Sequence, residues 1–151
     1  MKITAQEEYG LRCILQLAKA EAKVTTVREI AEREGLSNAY VEKLLRLLSK
    51  SGLTKSVRGI GGGYQLARPV NKITLADVVR SLGNIPSTEN ICDRYPGNLD
   101  ACIHVEDCGI RSAWGGLTRS IQQYLDDMTL DQLLKTEAEV HKVVINSEKS
   151  G

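Results

Sequence analysis

Between residues 4 and 20, apolar side chains recur at Tyr9, Cys13, Ile14, Leu17 and Ala18, a spacing that places them on one face of a helix. A short break follows, then TTVREIAEREG, in which Thr26 and Glu29 form a T-x-x-E capping box. Each of those side chains satisfies a backbone N–H left free in the first turn, and Gly35 can take the left-handed conformation that stops the helix. The next run, SNAYVEKLLRLLSKSG, offers Ser37 as N-cap, an apolar face of Val41, Leu44, Leu45 and Leu48, and Gly52 as a stop. Two short helices joined by a tight, glycine-containing turn predict a helix-turn-helix.

After Gly52 the period changes. LTKSV and YQLA read as two short strands, and RGIGGG between them gives a hairpin with a glycine-rich tip. Thr74 and Asp77 then open a short helix, LADVVRSLG. From about Gly109 to Met128 the apolar residues Ile110, Trp114, Leu117, Ile121, Tyr124 and Met128 advance in steps of 4, 3, 4, 3 and 4. That is the seam of a helix that packs against another long helix. Thr129 and Gln132 cap a last helix, and the end, NSEKSG, is expected to fray. The fold class predicted is mainly α with a small β-hairpin wing.

Charge changes the picture locally rather than globally. The chain has 151 residues, 26% of them charged, and a formal net charge of +1, so any affinity for nucleic acid must come from a concentrated patch. Lys43, Arg46, Lys50, Lys55, Arg58 and Arg68 supply one, and Glu42 is the only acid between residues 42 and 68. A solvated helix face would also produce such a run. The glycine-flanked Arg58 at the hairpin tip favours DNA, because glycines let the backbone approach closely and an arginine can enter a narrow minor groove. The second helix of the motif fits the major groove. No apolar run approaches the roughly 18 residues of a membrane span, and MKITAQEEYG lacks the apolar stretch of a signal peptide. A cytoplasmic chain with reduced thiols is expected. GIGGGY opens no helix and is not a phosphate loop, and no nucleophile–base pair is evident, so catalysis is not expected.

The run VRGIGGGYQLAR, taken with MKIT…EYGLR, LSNAYVEKLLRLLSKSGL and CGIRSAW, resembles the IscR-type family of bacterial winged-helix transcription regulators over nearly the whole chain. The resemblance implies a homodimer, held by the long carboxy-terminal helix, that binds palindromic operators. It divides the chain into a winged helix-turn-helix domain (1–83), a cysteine-bearing loop (84–108), and a dimerisation helix with a C-terminal helix (109–151). It also implies that Ser37, Asn38, Ala39, Tyr40, Glu42 and Lys43 face DNA from the recognition helix, with Arg58 and Gly59 on the wing. Glu42 matches a family position that accepts hydrogen bonds from cytosine amino groups, a pairing that base-edge chemistry allows. The family often carries a hydroxyl where this chain has Ala39, so one polar contact is missing and operator preference is expected to differ.

Three of the four cysteines, Cys92, Cys102 and Cys108, stand in ENICDRYPGNLDACIHVEDCGI with the spacing C-x9-C-x5-C. Thiols in a loop pack no core, which points to a metal or redox role. Zinc sites usually show a C-x2–4-C pair, absent here; three solvated thiols without a ligand would be open to oxidation. The resemblance implies instead that the three thiolates hold an iron–sulfur cluster, a 2Fe–2S cluster by preference, with 4Fe–4S open. The histidine that some members place three residues after the last cysteine is replaced by Arg111. Other members use a carboxylate from the first helix of the partner subunit, and Glu8 occupies the matching place. His104 and Cys13 are the alternatives for that fourth ligand. The function so implied is operator binding controlled by a cluster that senses redox state, iron or nitric oxide. A cluster-free regulator of cysteine metabolism and a small electron carrier are the competing readings.

Overall fold

The computed structural model describes residues 1–150 and is helical except for one hairpin. In chain order the elements are α1 (Ala5–Lys19), α2 (Val27–Glu34), α3 (Asn38–Lys50), β1 (Thr54–Val57), β2 (Gly63–Leu66), a 3-10 turn at Val70–Lys72, α4 (Leu75–Leu82), α5 (Ile91–Arg94), α6 (Gly109–Asp127), α7 (Leu130–Leu133) and α8 (Glu137–Ser150). Reciprocal capping boxes start three of these helices, at Thr4, Thr26 and Thr74; the Thr129 N–H donates to Gln132 Oε1 at the start of α7, and Ser37 caps α3 by accepting from the Tyr40 N–H. Each such cap contributes on the order of 1 kcal/mol, so the starts are set locally before any packing occurs.

The amino-terminal core is built by helices α1 to α4. Ile14, Ile30, Val41, Leu44, Leu45, Leu48 and Ile73 are fully buried in it. Burying a side chain of this size contributes about 1.5–3 kcal/mol, which makes this cluster the main source of the fold's stability. The hairpin is antiparallel, with Thr54 opposite Leu66 and Val57 opposite Gly63. It is tied back to the helices by a second pairing, in which Thr25 and Tyr64 exchange backbone hydrogen bonds of 2.9 and 2.8 Å. Gly63 makes that approach possible, because a Cβ there would lie 2.3 Å from the Thr25 carbonyl oxygen. The wing is therefore a third-strand extension of the helix-turn-helix and not a free flap.

The carboxy-terminal part departs from the sequence expectation in three ways. Met128, placed on the apolar seam by its spacing, lies beyond the end of α6 and is 3% exposed in the core, its carbonyl accepting from the Leu75 N–H at 2.7 Å. The last helix is two helices: α7 ends near Leu134, and α8 restarts after Thr136, which exchanges hydrogen bonds with Glu139 in a second capping pattern. Of NSEKSG, the segment expected to fray, residues 146–150 continue α8 as far as Ser150, with the Ser147 and Ser150 hydroxyls donating to carbonyls one turn back, and Gly151 lies outside the described residues. Leu130, through its backbone bond to Ile73 and its full burial, returns α7 to the amino-terminal core. Most of the α6 seam stays in solvent, with Ile110 66%, Trp114 49% and Tyr124 40% exposed, and Ile121 is half-buried.

Candidate nucleic-acid interface and thiol cavity

The recognition helix α3 and the wing enclose an open groove of about 840 Å³. Asn38, Glu42, Arg46, Lys50 and Arg58 line it, so three of the six cations in the basic stretch share one surface. Ser37, Asn38, Ala39, Lys43 and Arg46 are exposed along α3, and Arg58 and Gly59 are exposed at the wing tip, Gly59 with φ 104°. Tyr40 is different: it is half-buried and packs edge-on against Tyr9 of α1, ring centroids 6.0 Å apart. Glu42 is also engaged within the chain. Its Oε1 accepts from the Tyr64 hydroxyl at 2.9 Å and from Arg46 Nε at 3.2 Å. Burial first, and then the Glu42 carboxylate, push the Tyr64 hydroxyl above its ordinary pKa. Sequence reading missed Tyr64, because a tyrosine in a strand carries no signal of which carboxylate its hydroxyl will meet.

Helix α1 braces the recognition unit from behind. Arg12 Nε lies 2.7 Å from the Glu34 carboxylate, and Gln16 donates to the same side chain. Burial would raise the Glu34 carboxyl, but the hydrogen bonds from Arg12 and Gln16 outweigh it and hold the group below its ordinary value.

The three loop thiols come together on one apolar-walled cavity of about 290 Å³. Cys92 sits on α5, Cys102 in the following loop, and Cys108 at the N-cap of α6, where its sulfur accepts from the Arg111 N–H at 3.3 Å. All three are half-buried. Arg111 also reaches Cys92, its Nη1 standing 3.3 Å from that sulfur and 2.8 Å from the Val105 carbonyl oxygen. The thiol sulfurs thus have a guanidinium among them, a role that the sequence reading, which saw Arg111 only as a missing histidine, did not assign. Among the described residues no three His, Cys, Asp or Glu side chains converge closely enough to hold a single ion. The three thiols on one cavity are soft donors, a set that suits an iron–sulfur group better than a hard cation.

The fourth-ligand candidates separate clearly. His104 is exposed and lines the thiol cavity. Glu8 is exposed on α1 and lines a different, small apolar cavity with Leu11 and Leu125, so within its own chain it does not meet the thiols. Cys13 is 0% exposed in the core, and burial pushes its thiol up to about 12, which makes it a protonated packing residue.

A helix-turn-helix followed by a hairpin that closes a basic groove defines a winged-helix DNA-binding protein. Residues 3–136 match the family Rrf2, described as an iron-dependent transcriptional regulator, and the chain belongs to that family of transcription regulators. It is 32% identical over 136 residues to protein rrf2 of Nitratidesulfovibrio vulgaris, covering 89% of this chain and 88% of the relative. Among solved structures it is similar to IscR of T. potens, with 33% identity, 89% and 86% of the two chains covered and a TM-score of 0.66. It is also similar to CymR, the global cysteine regulator of B. subtilis, with 32% identity, 89% and 96% covered and a TM-score of 0.70. The family and the cysteine regulator are named as regulators and not as enzymes.

Proposed function

We propose that this chain is a homodimeric regulator whose binding to a palindromic operator is controlled by an iron–sulfur cluster on Cys92, Cys102 and Cys108. The observation that carries the reading is the gathering of three thiols, spaced C-x9-C-x5-C, on one cavity with Arg111 donating to two of their sulfurs. Thiolates are soft anionic donors that suit iron, and the guanidinium offsets part of their charge. When bound, the group supplies sensitivity to redox state, iron supply or nitric oxide. A 2Fe–2S cluster is the preferred form.

The fourth ligand is assigned to the partner subunit's Glu8. That carboxylate is exposed, is on the helix that braces α3, and finds no place in the thiol cavity of its own chain. The exposed α6 seam supports the dimer, since patches of large apolar side chains left open in one chain commonly mark an interface. In this reading residues 84–108 form the cluster-bearing segment between the winged domain (1–83) and the dimerisation region (109–151). Recognition helices in such a dimer must stand about 34 Å apart to enter successive major grooves, so a small rotation transmitted through α1 would alter affinity.

The test is the visible spectrum and the iron and sulfide content of anaerobically purified protein. Wild-type protein should be brown, and alanine at Cys92, Cys102 or Cys108 should leave it nearly colourless. Glu8→Ala should keep colour but bleach faster in air, while Cys13→Ala and His104→Ala should decay at the wild-type rate. A colourless wild-type protein that still binds its operator would favour the second reading, a cluster-free regulator of cysteine metabolism. The similarity to the global cysteine regulator and the lack of three converging donors among the described residues support that alternative.

A further inference from the structure

We propose that Tyr64 is a specificity-determining positioning residue of the DNA interface, whose hydroxyl fixes the Glu42 carboxylate with one oxygen held by the protein and the other offered to a base. This assignment rests on the reading of Glu42 as a base-contacting residue.

The geometry carries it in three steps. First, Tyr64 cannot drift: it is 7% exposed, and its backbone is bonded to Thr25 on one side and paired with Ser56 of β1 on the other. Second, its hydroxyl and Arg46 Nε both donate to the same oxygen of Glu42, at 2.9 and 3.2 Å, which uses the two acceptor sites of Oε1. Third, among the described residues Oε2 receives no hydrogen bond, and Glu42 lines the groove between α3 and the wing. One acceptor remains for the ligand, and cytosine N4 is the major-groove donor that a carboxylate suits.

A free glutamate would lose the freedom of a long side chain on meeting a base. Here the tyrosine and arginine remove that freedom before DNA arrives, which is preorganisation of the contact. Because Tyr64 belongs to β2, the same bond locks the wing to the recognition helix. Base reading and wing placement therefore share one hydroxyl.

The test uses a duplex selected from a randomised pool by the wild-type protein, together with its single base-pair variants. Glu42→Ala should lower the preference at one base-pair position by about tenfold. Tyr64→Phe keeps the buried ring and removes only the donor; it should lower the preference at that same position by at least about threefold and leave the slope of affinity against salt unchanged. The double variant should match Glu42→Ala. Glu42→Gln leaves Tyr64 untouched and gives a second measure: with its carbonyl held by Tyr64 and Arg46, its amide must face the groove, so the preference should move to a base with an acceptor there. If Tyr64→Phe discriminates like wild type, or loses affinity equally on every variant, the positioning role is wrong while the Glu42 reading stands. Retention of the wild-type preference by Glu42→Gln overturns the held-oxygen geometry. If Glu42→Ala changes nothing, the reading itself falls and the Tyr64 assignment falls with it.

Discussion

The winged half and the thiol-bearing half of this chain solve opposite problems. In the first, helices α1–α4 bury their apolar faces against one another, and even the hairpin is sewn to them through Thr25 and Tyr64. In the second, Ile110, Trp114, Leu117 and Tyr124 leave one face of a long helix exposed although its other face packs on α4, and three thiols line an apolar cavity. The first half is complete in one chain. In the proposed function the second is completed from outside, by another polypeptide surface and by an inorganic group. A regulator gains from that division: a rigid reader can be repositioned as one body by whatever completes the other half.

The largest effect should come from cutting into the complete half. Leu44→Ala removes most of a fully buried side chain at the centre of α3 and should cost about 2–5 kcal/mol of stability. Thermal or urea unfolding measures it directly, and a loss under about 1 kcal/mol would mean the core is less tightly packed than drawn. Next comes the open half. Trp114→Glu places a charge on the exposed seam and should turn a dimer into a monomer with unchanged far-ultraviolet circular dichroism, as read by sedimentation. A dimer that survives would move the interface away from α6.

A smaller and more selective effect belongs to the wing. Arg58→Ala should weaken DNA binding and lower the salt slope by about one, because a cation at the wing tip is removed. Any visible absorbance of the protein should be unaffected, since Arg58 and the thiols stand on different cavities. A change in cluster content would show that the two halves are not separable.

How much of this was legible in the sequence follows the same division. Caps, turns and buried periodicity are local or nearly so, and Thr26, Ser37, Gly35 and the Val41–Leu48 face placed the helix-turn-helix to within a residue. The seam of α6 was legible except at its end. Met128 keeps the 3–4 spacing but falls after the helix stops, and spacing alone does not say where a helix ends. The split between α7 and α8 had a local sign, the T-x-x-E of Thr136 and Glu139, hidden inside what read as one helical run. What no local pattern carried were the pairings between distant elements: Tyr64 with Glu42, and Arg111 with Cys92. Those depend on which faces the fold brings together, and the sequence holds them only through the fold.

The smallest expected effect sharpens the contrast through pH. Glu34, in the complete half, is held below the ordinary carboxylate range because the bonds from Arg12 and Gln16 outweigh its burial. Glu139, in the open half, is also lowered, first by the Thr136 backbone N–H and then by its hydroxyl, and it is exposed to solvent. For a depressed carboxyl, the unfolded chain takes up its proton at the higher pH. Its contribution to stability is therefore full above about pH 4.5 and is lost as pH falls through the lower folded value. The two sites should differ in where that loss is felt. Glu34 joins α1 to the end of α2, so Glu34→Gln should flatten part of the acid limb of global unfolding, by a modest amount because its arginine partner is partly exposed. Glu139 caps only the start of α8, so Glu139→Ala, which removes the acceptor, should leave global unfolding unchanged and reduce helix content near the carboxy terminus, seen as faster amide exchange over residues 137–150. Equal shifts of the acid limb by both variants would show that α8 unfolds together with the winged body, and the division between a complete half and an open one would be lost.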